Sequence, residues 1–333
     1  MLITPLDKWI CGKLGFSQLS SDELCRYRLG KLRENVCYAR AQGKFYREKL
    51  RDFGDVVSFD DFEKLPFTMP EDVSQNPHDF LCVPLDDISR IVTLSTSGST
   101  GKNKRLFFTS EDLELTIDFF HHGMSTFTAP GDRVMIFMPG QSAGGVCDLL
   151  VRGLGRLGAN SFVYGAISDF GDARRAALDF CPTVLVGLPK QMNRLAEESM
   201  GDLCLKSVLL ASDFISPSFV SAIEGAWSCK VFMHYGLTES GLGGAVSCAA
   251  HEGYHMREAD LYFEIIDPVS GEVLPSGELG EIVFSTLTRK GMPLIRYRTG
   301  DISRIIAGRC ACGSAIRRFD QIADRGVIKG WGG

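Results

Sequence analysis

The chain has 333 residues, enough for one large domain or two ordinary ones with a substantial core. Hydrophobic residues make up 44% and charged residues 23%, a globular composition that excludes a disordered, collagen-like or disulfide-miniprotein class. With 36 basic against 41 acidic side chains the net charge is −5, the wrong sign for a general nucleic-acid binder, although a local basic pocket remains compatible with it. The first residues lack a basic stretch followed by an apolar core, and no apolar run approaches the ~18–20 residues of a spanning helix. Neither a secretory signal nor a membrane segment is expected. Eleven scattered cysteines argue for a reducing cytoplasm, with thiols buried or bound to metal.

In chain order, residues 20–50 predict a helix. Leu24, Tyr27, Leu32, Val36 and Ala39 recur at helical spacing behind Ser20 or Ser21 as cap. Residues 51–90 form a connector rich in Pro, Asp and Phe. Short β-runs at 91–94 and 106–109 flank a Gly- and hydroxyl-rich loop, and a helix is predicted over 110–127 with Ser110 as its cap. Strands at 133–138, 161–164, 183–186, 207–210 and 230–233 then alternate with helices at 142–157, 169–180, 189–199 and 216–226. Apolar strands alternating with amphipathic helices predict a mainly parallel α/β sheet. After about residue 260 the texture turns β-rich, with strands at 261–266, 281–286 and 294–297. No internal repeat is evident, and residues 330–333 read as a linker.

Three blocks carry chemistry. The first, Thr96-Ser97-Gly98-Ser99-Thr100-Gly101 followed by Lys102, Lys104 and Arg105, combines small residues, hydroxyl donors and positive charge, as a polyphosphate cradle does. It lacks the Walker spacing, and a surface hairpin remains an alternative on composition. The second, His234-Tyr235-Gly236-Leu237-Thr238-Glu239, follows the last parallel strand, where α/β sheets place ligands. Glu239 could hold a divalent cation there. The third, Tyr297-Arg298-Thr299-Gly300-Asp301, sets a carboxylate after a Gly turn, suited to the two hydroxyls of a ribose. Taken singly, the last two also read as an acidic strand-end loop and a turn aspartate.

In this order and spacing the blocks resemble the adenylate-forming superfamily, in its branch of phenylacetate–coenzyme A ligases, which also includes deazaflavin-adenylating synthetases. Residues 29–40, 45–50 and 62–68 resemble that branch's N-terminal helix and connector, so the likeness spans about 20–325. The resemblance implies a layered α/β fold and an ATP-dependent adenylation of a carboxylate, with pyrophosphate released and the acyl group passed to the thiol of coenzyme A. An aryl or other small organic acid is the implied substrate. It further implies that Thr96 to Gly101 hold the outer phosphates with Lys104. Thr238 would meet the α-phosphate and Glu239 would ligate Mg²⁺. Tyr235, Gly236 and the Ala211-Ser212-Asp213 segment would line the adenine, Asp301 would bind the ribose, and Arg325 would reach the ribose or the phosphates. The implied division is an N-terminal helical region and connector (1–90), a nucleotide-binding core (91–240), a β-rich subdomain (241–325) and a linker (326–333).

Two features depart from the family pattern. Met233 stands where relatives carry an Asn or Asp facing the adenine amine. Relatives also continue for roughly a hundred residues into a lid domain with a catalytic lysine, to which no residue here corresponds. An adenylyltransferase that makes no thioester, and a nucleotide-binding module served by a separate lid protein, therefore stand as alternatives. A homodimer is implied by analogy alone. The acid's pocket is expected around 137–146 and 234–244.

A second constellation joins Cys248, His251, His255, Cys310 and Cys312. Cys310-Ala311-Cys312-Gly313 is a tight pair in a turn, and four N/S donors make a closed tetrahedral site of the structural zinc type. Either histidine could complete it by spacing. The family's Cys, Gly-aromatic-His and Cys-x-Cys-Gly pattern implies Cys248, His255, Cys310 and Cys312.

Overall fold

The structure, a computed structural model, describes residues 4–94, 103–198, 203–211 and 214–323. The chain opens with α1 (Pro5–Leu14), which the sequence reading did not anticipate; Thr4 caps it and Leu6, Trp9 and Ile10 form its buried face. The predicted first long helix is two helices, α2 (Ser21–Gln42) and α3 (Lys44–Lys49), separated by Gly43 in an extended conformation. Ser20 and Glu23 close a capping box at the start of α2. The connector contains two short helices, α4 (Phe59–Glu63) and α5 (Pro70–Gln75).

An antiparallel pair follows, β1 (Ile88–Leu94) and β2 (Lys104–Thr109), with Leu94 opposite Lys104. The next helix, α6 (Ser110–Met124), is capped by Thr109 rather than by Ser110. Thr109 ends β2 in extended geometry, so its hydroxyl is free to accept the Asp112 amide, whereas Ser110 is already helical. Five parallel strands come next: β3 (Arg133–Phe137), β4 (Asn160–Val163), β5 (Val184–Gly187), β6 (Ser207–Ala211) and β7 (Lys230–Tyr235). Between them run α7 (Val146–Leu157), α8 (Phe170–Phe180), α9 (Pro189–Ala196) and α10 (Pro217–Trp227). Strands β5 and β6 are buried along almost their whole length, as a sheet covered on both faces requires.

The alternation predicts this parallel core but not what extends it. Two three-residue strands, β8 (Ala245–Ser247) and β9 (Tyr254–Met256), pair antiparallel on the edge of β7. The two-residue strands β13 (Ile305–Ile306) and β14 (Arg318–Phe319) complete a mixed nine-stranded sheet in the order β13-β14-β9-β8-β7-β6-β5-β3-β4. A separate antiparallel sheet holds β10 (Leu261–Ile266), β11 (Gly280–Thr286) and β12 (Tyr297–Ser303). The last of these starts where the expected strand at 294–297 ends. Leu294 and Ile295 are buried core, but the ladder belongs to the more polar residues after them. Arg298 is paired with Glu281, and the Thr299 hydroxyl donates to the Ile282 carbonyl.

Candidate active site and metal cluster

The loop from Gly236 to Gly244 leaves the C-terminal end of β7 and is pinned from three directions. The Arg289 guanidinium donates to the Glu239 carbonyl at 2.6 Å. The Thr116 hydroxyl of α6 donates to the Gly241 carbonyl at 2.8 Å, and Arg257 to that of Gly243 at 3.2 Å. Gly241 (φ +80°) and Leu242 (φ +65°) lie in the left-handed region, which a leucine enters only at a cost. A side chain at Gly243 would meet the Phe119 ring at 2.5 Å, so the loop reaches α6 only because that position is glycine.

This scaffold buries the Glu239 carboxylate. Its Oε1 accepts from Lys104 Nζ at 2.5 Å and from the Tyr297 hydroxyl at 3.0 Å, while Lys104 also reaches that hydroxyl at 2.8 Å. The three groups come from β2, the β7–β8 loop and β12. Burial, reinforced by the charge of Glu239, pushes the Tyr297 phenol well above its ordinary range, which keeps it a donor. On the far side of the loop Tyr235 is buried, its hydroxyl donating to Asp301 Oδ2 at 3.0 Å and its ring edge-on to Phe319. The structure therefore brings together Lys104, Glu239, Tyr235, Gly236, Thr238 and Asp301. The remaining expected residues, Thr96, Ser97, Gly98, Ser99, Thr100, Gly101, Ser212, Asp213 and Arg325, lie outside the described residues. Tyr297 was legible as part of the third block but had no role there. Arg289 and Arg257 carry no local sequence signal, because their partners are made by folding.

Beside this loop opens an apolar cavity of about 200 Å³. One wall is the sheet. Ala211, His234 and Val246 lie in register across β6, β7 and β8, so their side chains share a face. The other wall is α6 and α7, through Phe119, Phe120, Met124, Val146 and Leu150. Gly236 and Thr238 of the β7–β8 loop also line it, Thr238 directly preceding Glu239 in the chain. The cavity thus takes in Met138 and Val146 of the expected 137–146 stretch and His234, Gly236, Thr238 and Leu242 of the expected 234–244 stretch. Burial and the positive charge of Arg257 push the His234 imidazole down to about 4, so it is neutral near pH 7.

The second constellation gathers on the other side of β8. The ligand atoms of Cys248, His255, Cys310 and Cys312 all lie within 4.8 Å of one another. Cys248 and Cys310 sulfurs are 3.6 Å apart, and Cys312 Sγ is 3.4 Å from His255 Nε2. Tetrahedral zinc with ordinary bond lengths sets S···S edges of about 3.8 Å and S···N edges of about 3.5 Å, so the spacing fits that ion. His255 Nδ1 lies 3.2 Å from the Ile316 carbonyl, an arrangement that places the proton on Nδ1 and turns Nε2 inward as a donor to metal. Burial raises the Cys248 and Cys312 thiols. His251 is not part of the group. It sits at φ +53° with its ring against Phe232.

Residues 46–288 match the family of AMP-binding enzymes, and the chain belongs to that family. It is 30% identical over 325 residues to the phenylacetate-coenzyme A ligase of Pseudomonas putida, covering 92% of this chain and 71% of the relative. Identity to the phenylacetate-coenzyme A ligase of Thermus thermophilus is 29% over 313 residues, covering 89% and 68%. Among solved structures, a 2-hydroxyisobutyryl-CoA ligase in complex with 2-HIB-AMP and CoA superposes with a TM-score of 0.82 at 24% identity, covering 91% of this chain and 68% of that one. That likeness shows the adenylate-forming fold.

Proposed function

We propose that the chain is an AMP-forming acid–thiol ligase. A carboxylate oxygen of a small organic acid attacks the α-phosphorus of ATP and pyrophosphate leaves. The thiol of coenzyme A then attacks the acyl carbon of the adenylate and AMP leaves. The observation that carries this reading is the union of three features at one strand end: an apolar cavity for the acid, Thr238 on its wall, and the Lys104–Glu239–Tyr297 group that starts at the next residue of the loop. Family membership and the named relatives support it.

In this reading Thr238 meets the α-phosphate, and Glu239 would hold a Mg²⁺ ion whose positive charge would offset the negative charge of the phosphates. Without nucleotide, Lys104 neutralises Glu239. With nucleotide, Lys104 turns to the phosphates and releases the carboxylate. Rate comes from positioning and electrostatic stabilisation rather than from a covalent enzyme intermediate. Asp301, held by Tyr235, grips the ribose. Thr96 to Gly101 wrap the outer phosphates, Ser212 and Asp213 line the base, and Arg325 reaches the ribose. The cluster of Cys248, His255, Cys310 and Cys312 holds a structural zinc that fastens the segment after β8 to the β13–β14 turn. All eleven cysteines are free, which supports a reducing, cytoplasmic setting. Among the described residues no helix is long and apolar enough to cross a membrane.

The test is carboxylate-dependent ATP–pyrophosphate exchange with Mg²⁺ across a panel of aryl and alkyl acids, followed by thioester detection with coenzyme A. Exchange and thioester formation with one acid class are expected. Exchange without thioester would assign an adenylyltransferase instead, and ATP binding with no exchange would assign a nucleotide-binding module.

A further inference from the structure

Adenylation acts on the carboxylate of the acid and asks nothing of the pocket that takes the rest of the molecule except shape. A cavity needing only shape would be apolar throughout. This one is not. Apart from Thr238, His234 is the single residue on its wall, among the described residues, with a hydrogen-bonding side chain. We propose that His234 is its specificity-determining residue, and that the acid carries a hydroxyl on an otherwise uncharged, apolar body for the imidazole to meet. The proposal rests on the adenylation reading and names its substrate class.

Four observations carry it. The register of β6, β7 and β8 puts the His234 side chain on the cavity face, between the rings of Phe119 and Phe120 at 6.2 and 6.0 Å. Its Nε2 is closed to solvent and has no hydrogen-bond partner among the described residues, an expensive arrangement for a polar atom in apolar surroundings. Its neighbouring Cε1 faces Gly236 on the cavity wall, 2.9 Å from where a side chain there would begin. A half-turn of the ring exchanges Cε1 with Nε2 and carries the nitrogen to that edge. Finally, the ring is neutral near pH 7, so it offers one N–H donor and one lone pair, the complement of a hydroxyl.

Size and charge narrow the class. An apolar cavity of about 150 Å³ takes benzene, so about 200 Å³ holds one six-membered ring with a short arm, or a chain of similar bulk. The charge of Arg257, stacked behind Phe119 at 5.1 Å, opposes an amino group on the acid, and among the described residues the cavity wall offers no cation to pair with a second carboxylate.

The experiment compares phenylacetate with its 2-, 3- and 4-hydroxy isomers, and hexanoate with 6-hydroxyhexanoate, by pyrophosphate exchange and by calorimetric binding. At least one hydroxylated acid should exceed its parent by about tenfold or more in kcat/KM and in affinity, since a site built to bond a hydroxyl rejects the analogue lacking it. That ratio should collapse to about one or below in His234→Leu and be largely kept in His234→Gln. Parents equal to or better than every hydroxylated partner would overturn the assignment of His234, as would a ratio unchanged in His234→Leu. Exchange with parent acids alone overturns this assignment and leaves adenylation standing. Selective binding of a hydroxylated acid without exchange overturns adenylation and leaves the assignment standing. Neither binding nor exchange overturns both.

Discussion

Two polar clusters flank the three residues of β8 and handle buried charge in opposite ways. On one side Glu239 is neutralised from within the chain, by Lys104 at 2.5 Å with Tyr297 as a second donor. On the other, Cys248, His255, Cys310 and Cys312 bring three thiols and an imidazole together, all of them groups that can ligate a metal. A carboxylate with its own lysine can exist with or without a metal, which suits a group that must exchange partners during turnover. Thiols gathered with an imidazole give up their protons only to a bound metal's benefit, which suits a site filled once and kept. In the proposed reading the first is a working cluster and the second a fastening one.

It can be broken most sharply at the fastening side. The Cys310→Ser, Cys312→Ser double variant should abolish a metal content of about one zinc per chain, and stability should fall by about 4 kcal/mol or more. Elemental analysis with thermal unfolding reads both, and a metal-free protein that unfolds like wild type would remove the distinction. On the working side, Glu239→Gln should cut turnover by about a hundredfold or more while nucleotide binding persists. Parallel exchange assays and calorimetry decide it, and unchanged turnover would withdraw the metal-ligand role. Removing the internal cation by Lys104→Met should leave a buried carboxylate with one neutral donor. It should cost roughly 3 kcal/mol in nucleotide-free unfolding, a loss that Glu239→Gln in the same chain relieves.

The smallest effect concerns pH. The folded chain holds His234 at about 4, below the ~6.5 of an unfolded histidine, so the unfolded state takes up the proton first as pH falls. Its contribution is intact above pH 6.5 and is lost progressively towards pH 4. The loss is about 2 kcal/mol, less than the full shift implies because the ring lines a cavity that water can enter. Denaturant titrations should show a shallower acid limb in His234→Gln than in wild type, and equal limbs would refute the assignment.

Much of the parallel core was readable because buried strands and amphipathic helices leave periodic apolar residues. Strand β12 was not, because Tyr297–Ser303 carries Arg, Thr, Gly and Asp, the vocabulary of a turn. Its polar groups find their partners only on folding: Arg298 on Glu281, Thr299 on the Ile282 carbonyl, Asp301 on the Tyr235 hydroxyl and Ser303 on the carbonyls of Asp320 and Gln321. Strands β8 and β9 are three residues long, too short for any period. The metal-binding candidates were legible because Cys310-Ala311-Cys312-Gly313 is a distinctive tight pair, and His255 was singled out from His251 by the family's Gly-aromatic-His pattern. The Lys104–Glu239 contact, spanning 135 positions, was not, since either residue alone fits many roles.

The clasps between distant parts of the chain have a consequence for how it is made. Asp112 binds the amides of Lys290 and Gly291, and Asn35 donates to the Thr286 carbonyl. Asp7 accepts from Ser314 and Ala315, some 307 positions away. Each closes a loop that costs entropy before it returns any contact energy, which slows folding. On the ribosome, α1 and α2 must wait, unclasped, until the segment around 286–315 has emerged. This protein should therefore reach its native state only after synthesis has passed those residues, and its early helices should be the part most in need of shielding meanwhile.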